Sequence, residues 1–433
     1  MVFRLFVLIV FLTGLAVDSA DAVGRTDWYL DSRVGMFIHW GLYAFDGHGE
    51  WAMFRDGLDP AEYAAKAKKW NPSVGAEERW VECAKSAGMK YIVLTTRHHD
   101  GFALWDTKAD DYNSMNTPAH RDHVRMFADA CRRHGIRVGF YYSPTDWRYC
   151  DTDPKKMKEM AWIQIRELMS NYGKIDVLWF DFGLWEPKGL TRAEFLESEK
   201  LLKMVRGLQP DILINDRAEI KGDFKTIEGR NIPRPPKGAK LWEACITLQD
   251  DDWSFWGWCR YTAFRKTPEQ IICYLLHCLE VNGNMLLNVG PDANGDIDGW
   301  QRDLLAKLGI WVGKNVEAVY GVRGTELATD YPLARGWTGN TCGFFTVKPN
   351  TNEAFLYLHA WPGPVCVFPV FKAKINSIEL GGAPVAFRQD AKTGRLILTS
   401  LPDNPPDSIA TVLKVKLGES EGLKEYCVAT SCP

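Results

Sequence analysis

The chain has 433 residues, of which 52 are basic and 55 acidic, giving a net charge of -3. Charges of both signs are spread along the chain without a like-charged run, which excludes a protein that tracks a nucleic-acid backbone. The length exceeds one ordinary core but suits a barrel of about 250 to 300 residues followed by a smaller module.

Met1-Val2-Phe3-Arg4, the apolar residues 5–17 and Ala20-Asp21-Ala22 form a positive start, a hydrophobic stretch and a small-x-small site. They predict a signal peptide over 1–22, cleavage after Ala22, and export to a periplasmic or extracellular space. The apolar stretch is shorter than the roughly 20 residues that cross a bilayer, so no membrane span is expected. Asn71 is followed by Pro72 and no Asn-x-Ser/Thr sequon remains, which points to a bacterial source.

From residue 34 to about 320, short β-branched and aromatic runs alternate with amphipathic stretches. The runs predict strands at 34–40, 91–96, 137–143, 176–181, 212–216, 225–228, 241–247 and 284–290. Helices are predicted at 76–87, 122–134, 156–172, 192–208 and 267–282, with Gly88, Gly135 and Gly173 as C-caps. Eight such strands give an α/β fold, a (β/α)8-type barrel over 23–321. Beyond residue 322 the pattern becomes alternating strands at 354–358, 375–380, 396–398 and 411–415, punctuated by Gly381-Gly382 and by prolines from Pro402 to Pro406. This predicts a C-terminal antiparallel β-sandwich over 322–433.

Eleven cysteines include no CxxC pair, which disfavours structural zinc. Cys427 and Cys432 are spaced to close a small loop, whereas Cys83, Cys131, Cys273 and Cys278 occupy apolar helix positions that suit free buried thiols.

Chemistry gathers at the strand ends, as a barrel requires. The fourth strand ends Leu178-Trp179-Phe180-Asp181, making Asp181 a candidate nucleophile. His39 ends the first strand, before Glu50-Trp51, and the second strand delivers His98-His99-Asp100. The His pair suits sugar hydroxyls better than a metal ion, since strand one lacks the His-x-His of metal-dependent barrel hydrolases. Arg217, just past strand five, is placed to bind a hydroxyl or hold a carboxylate ionised. Glycoside hydrolysis pairs two carboxylates, and the partners open to Asp181 are Glu228, Glu243, Glu219 and Glu50. Eighteen tryptophans suggest flat rings for sugar faces. Trp40, Trp51, Trp105, Trp179 and Trp185 stand beside polar strand ends, whereas Trp162 and Trp311 read as core. Asp250-Asp251-Asp252 reads as a solvent-facing loop.

An ordered set of motifs resembles glycoside hydrolase family 29, the retaining α-L-fucosidases. It comprises Arg33-Val34-Gly35-Met36-Phe37-Ile38-His39-Trp40-Gly41, Gly49-Glu50-Trp51, His98-His99-Asp100-Gly101-Phe102, Tyr141-Tyr142-Ser143, Leu178-Trp179-Phe180-Asp181, Trp242-Glu243 and Asn284-Met285-Leu286-Leu287-Asn288-Val289-Gly290-Pro291. The resemblance implies a double displacement on terminal fucose of an oligosaccharide or glycoconjugate, without metal or organic cofactor. Asp181 would be the nucleophile and Glu228 the acid/base, with Glu50, Glu243 and Glu219 as rivals. His39, Glu50, Trp51, His98, His99, Tyr141, Trp179 and Arg217 would bind or frame the sugar. A related α-L-galactosidase and a non-catalytic fucose-binding protein are the alternative readings. Arg97 and Phe182 depart from the family's usual Lys and Gly, and bear on the aglycone side.

Overall fold

The computed structural model describes residues 21–228, 233–249, 253–255, 265–325, 327–329 and 342–418. Eight parallel strands form one curled sheet: β1 (Val34–Ile38), β2 (Tyr91–Arg97), β3 (Arg137–Tyr142), β4 (Val177–Phe180), β5 (Leu213–Ile214), β6 (Lys225–Glu228), β7 (Trp242–Thr247) and β8 (Asn284–Val289). Their order is β5-β4-β3-β2-β1-β8-β7-β6, and the two edges meet through a single bridge between Asn215 and Phe224. This is the expected (β/α)8 barrel. β5 is shorter than its predicted range because the Asn215 side chain replaces a ladder rung. Its amide accepts from Phe180 N at 2.9 Å and donates to Phe180 O at 3.0 Å, and a 3-10 turn follows at once.

Helices cover the sheet outside and side chains fill it inside, so β1, β2, β4, β5, β7 and β8 are buried throughout. The strand period of two separates the faces. Met36, Ile38, Leu94, Phe140, Leu178 and Phe180 join the helices in the outer core. Phe37, Val93, Tyr141, Val177, Trp179 and Leu286 form the inner one. Since Val177 and Trp179 point inward, Asp181 does too, one step beyond the end of β4.

The barrel floor is sealed by a helix over Asp21–Ser32, which the sequence reading missed. Tyr29 from this helix donates to Glu243 Oε2 at 2.8 Å, Trp179 Nε1 donates to Oε1 at 2.9 Å, and Tyr91 donates to Oε2 from β2. Gly35 lets the Tyr91 ring lie across the floor, since a Cβ there would stand 2.4 Å from it. Burial pushes the Glu243 carboxyl up, and the bonds from Tyr91, Trp179 and Tyr29 recover part of the cost of its charge. Glu243→Ala strips the acceptor from three buried donors, and is expected to cost about 3 to 5 kcal/mol, read from the denaturant midpoint.

The helices over Ala76–Ser86, His123–His134, Pro154–Asn171 and Pro268–Glu280 match the predicted ranges to within two residues, and Gly135 is a left-handed C-cap. The range 192–208 divides into Arg192–Leu196 and Ser198–Leu208, broken at Glu197 with φ 54°. Trp162 Nε1 donates to the Leu196 carbonyl at 3.0 Å, the acceptor a continuing helix would have given to Lys200. A further helix spans Gly299–Lys314. No helix among the described residues is long and apolar enough to cross a membrane.

From Arg323 the strands are antiparallel. A six-stranded sheet includes Gly343–Val347, Glu353–Leu358, Ile375–Leu380 and Thr411–Leu417, and a three-stranded sheet comprises Cys366–Phe368, Leu396–Leu398 and Phe387–Gln389. Phe345, Leu356, Phe368, Leu398 and Leu413 form the core between them. Trp311 Nε1 donates to Ala410 O at 3.1 Å, and Lys414 bonds Glu317 at 3.0 Å, tying sandwich to barrel. Cys131 and Cys278 are free buried thiols, as expected, whereas Cys83 and Cys273 are free but only partly buried. Cys427 and Cys432, Asp250 to Asp252 and the leader-like residues 1–20 lie outside the described residues.

Candidate active site

A cleft of about 220 Å³ opens at the C-terminal ends of the strands. That is below the roughly 300–1,000 Å³ of drug-sized sites and suits one sugar ring. Its lining includes His39, Glu50, Trp51, His98, Tyr141, Trp179, Asp181, Arg217 and Glu228, all anticipated from sequence. Phe37, Gly183, Leu184, Cys245 and Trp253 complete it.

Asp181 is held from three sides. Tyr141 Oη donates to Oδ2 at 3.1 Å, Arg217 Nη1 donates to Oδ1 at 3.2 Å, and His99 Nε2 lies 3.7 Å from Oδ2. Burial alone would raise the Asp181 pKa, but the Arg217 charge, His99 and the Tyr141 bond outweigh it and hold the carboxyl below its ordinary 3.8. Burial and the Asp181 charge keep Tyr141 protonated, and therefore a donor.

Arg217 Nη1 also lies 2.6 Å from Glu228 Oε1. Because one nitrogen touches both groups, the two carboxylates stand within about 6 Å of each other, at the short end of glycosidase carboxylate spacings. The guanidinium is fixed by Nε donating to Thr226 Oγ1 at 2.9 Å and by lying 4.7 Å above the Trp179 ring. The Glu228 side chain is 51% exposed and that of Asp181 24%, so Glu228 faces the solvent side of the opening.

The remaining carboxylates separate on geometry. Glu50 lines the cleft, but its Oε2 accepts from the amides of Trp253 at 3.1 Å and Ser254 at 3.0 Å. Glu243 is fully buried in the floor, and Glu219 is an exposed partner of Arg192 at 3.1 Å; neither lines the cleft. Trp40 and Trp105 are likewise buried away from it, and Trp185 packs on Phe195 at 4.9 Å. Arg97 pairs with buried Asp146, and Phe182 is itself buried, so neither departure from the family pattern reaches the cleft wall. Among the described residues the one cluster of potential metal ligands, Glu78, Glu82 and His134, lies on the barrel's outer helices.

Trp253 and Cys245 were missed by sequence reasoning. Inward parity on β7 puts Cys245 two residues above Glu243. Trp253 follows an acidic stretch with no strand signal, and is positioned by its partners. Glu50 holds its amide, and the Asn288 side chain donates to its carbonyl. That bond turns the Asn288 oxygen toward His39, 2.7 Å from Nδ1, so Nδ1 carries the proton and Nε2 is left as an acceptor.

Burial pushes the pKa of His39 down to about 3 and that of His99 to about 4, with Asn288 and Asp181 respectively offsetting part of the shift. Burial also holds His98 well below the ordinary 6.5, reinforced by His99 and His39. All three rings are therefore uncharged at neutral pH and act as hydrogen-bonding groups. Carbon-13 shifts of labelled histidine are expected to show no protonation of these rings from neutrality to about pH 5, against an ordinary midpoint near 6.5. A midpoint near the ordinary value for any of them would contradict this account.

The family model described as "Alpha-L-fucosidase" matches residues 15–317. The human "Tissue alpha-L-fucosidase" is 26% identical over 429 residues, spanning 90% of this chain and 88% of that protein. Among solved structures, "Alpha-L-fucosidase isoenzyme 1" from Paenibacillus thiaminolyticus is 32% identical, covers 92% of this chain and 100% of that chain, and superposes with a TM-score of 0.79. An alpha-L-fucosidase GH29 from Bacteroides thetaiotaomicron, solved as a trapped covalent intermediate in complex with 2-fluoro-fucosyl fluoride, is 25% identical over 92% of this chain and 96% of that chain, with a TM-score of 0.79.

Proposed function

The chain belongs to the alpha-L-fucosidase family of glycoside hydrolases, and from that premise we propose that it is an exported, exo-acting, retaining enzyme that removes terminal α-L-fucose from glycans or glycoconjugates. The observation that carries the reading is the Arg217 bridge between Asp181 and Glu228 at the mouth of a one-sugar cleft. The covalent intermediate trapped in the Bacteroides relative supports a glycosyl-enzyme on Asp181 here. The catalytic unit is residues 23–321, and 322–433 is the accompanying sandwich.

Fucose enters with its methyl group against the rings of Phe37, Trp179 and Trp253, and with its hydroxyls toward His39 Nε2, His98, Glu50 and Trp51. Asp181, kept anionic by Arg217, attacks the anomeric carbon while Glu228 gives its proton to the departing oxygen. The negative charge thereby passes from Asp181 to Glu228. Both touch the same Nη1, so the guanidinium stays paired in each state. Glu228 then takes a proton from water, whose oxygen displaces Asp181 and releases fucose with its original anomeric configuration.

Hydrolysis of 4-nitrophenyl α-L-fucoside, followed by proton NMR in the first minutes, tests the reading. α-Fucose as the first product supports it, and β-fucose sinks the double displacement. Faster turnover of the α-L-galactoside would identify an α-L-galactosidase, and fucose binding without turnover a binding protein. For export, sequencing of the mature protein is expected to begin at Val23.

A further inference from the structure

The cleft lies beside a cluster of exposed apolar side chains that the one-sugar reading leaves unused. Trp51 lines the cleft and caps the short helix Ala52–Arg55, which carries Phe54 one turn on. The rings of Trp51 and Phe54 lie 5.7 Å apart at 86°, and Trp147 packs against both, at 5.2 Å from Trp51 and 5.7 Å from Phe54. Phe54 and Trp147 are only 30° from parallel, so they extend the cleft wall outward as a tilted shelf. Phe54 is 57% exposed, and Leu184, which lines the cleft from the segment after Asp181, is 72% exposed.

Exposed large apolar groups contiguous with a binding cleft mark a surface covered by ligand, because leaving them in water gains nothing for the fold. We propose that Phe54 and Trp147, with Leu184, form a subsite for the leaving-group sugar, whose C–H face stacks on the aromatic shelf. The inference rests on the fucosidase reading and extends it to the aglycone. Continuity selects the occupant. The cleft has room for one ring, its reactive carboxylates stand at the opening, and the second sugar is bonded to the first across that opening. Aromatic rings over pyranose C–H patches supply binding without fixing a hydroxyl pattern, so the subsite adds binding for a sugar leaving group and none for a halide.

The test compares kcat/KM for a fucosyl disaccharide with kcat/KM for α-L-fucosyl fluoride, which has no second sugar. In Phe54→Ala the disaccharide-to-fluoride ratio is expected to fall about tenfold, and in Phe54→Trp it is expected to hold near the parent value. A ratio unmoved by Phe54→Ala overturns the subsite, as does an equal loss on both substrates, which would report a structural effect. A parent that turns over neither substrate overturns the fucosidase activity and the subsite with it.

Discussion

Replacing Asp181 with glycine is expected to lower kcat/KM for aryl α-L-fucosides by about 10⁴-fold, the scale of losing a covalent nucleophile, and added azide is expected to restore turnover with β-L-fucosyl azide as the product. Glycine opens a space beneath the anomeric carbon, and Arg217, 3.2 Å from Asp181 Oδ1, remains to attract a small anion. A single displacement by azide inverts the centre, hence the β product. The fold is expected to survive, since Arg217 keeps its pairing to Glu228 at 2.6 Å. An Asp181→Gly enzyme retaining a tenth of parental activity, or yielding the α-azide, would remove Asp181 from the nucleophile role.

Glu228→Gly should cost about 10²- to 10³-fold on substrates with poor leaving groups, within the range of general acid catalysis. Little loss in kcat/KM is expected on fucosyl fluoride, which departs without a proton, whereas its kcat should fall because no base is left to deprotonate the water that releases the glycosyl-enzyme. Azide should again rescue turnover, this time by attack on the glycosyl-enzyme, and so give α-L-fucosyl azide. The opposite anomers from the two variants separate nucleophile from acid/base in one product analysis. Glu50→Gln serves as the contrast. Its carboxylate is occupied by the Trp253 and Ser254 amides at 3.1 and 3.0 Å, so its loss should raise KM on every substrate irrespective of the leaving group. A leaving-group dependence appearing in Glu50→Gln and absent from Glu228→Gly would transfer the acid/base role to Glu50.

Much of this site was legible because barrel chemistry follows strand parity. Once 176–181 reads as a buried strand, the inward alternation of Val177 and Trp179 carries Asp181 to the opening, and the same logic delivers His39 and Tyr141. Glu243 was a catalytic rival as a carboxylate on a later strand, and it does point inward. What parity does not reveal is depth: Glu243 opens β7 rather than ending it and sits in the floor with Tyr29 and Tyr91. Tryptophans beside polar strand ends were similarly ambiguous. Trp179 faces in and Trp40 faces out against Trp70 and Trp80. Trp253 had no local signal at all, because side chains more than 30 residues away in sequence position it. The break at Glu197 was hidden for the same reason, being made by Trp162 from another helix.

The plug at the barrel floor has a consequence for the order in which the molecule can be made. Tyr29 and Glu243 are separated by 214 positions. At synthesis rates of about 5 to 20 residues per second, the helix Asp21–Ser32 leaves the ribosome roughly 10 to 40 s before the strand that receives it. A helix of 12 residues is marginal alone in water. Through that interval the docking site is incomplete: Tyr91, Ile212 and Asp223, which pack on or bond the helix, are made first, but Glu243 is missing and the floor cannot be sealed. Closure of the floor is therefore a late, long-range event that joins the two ends of the barrel sequence. A nascent chain stalled before Trp242 is expected to remain open, with its first helix accessible to proteases and chaperones.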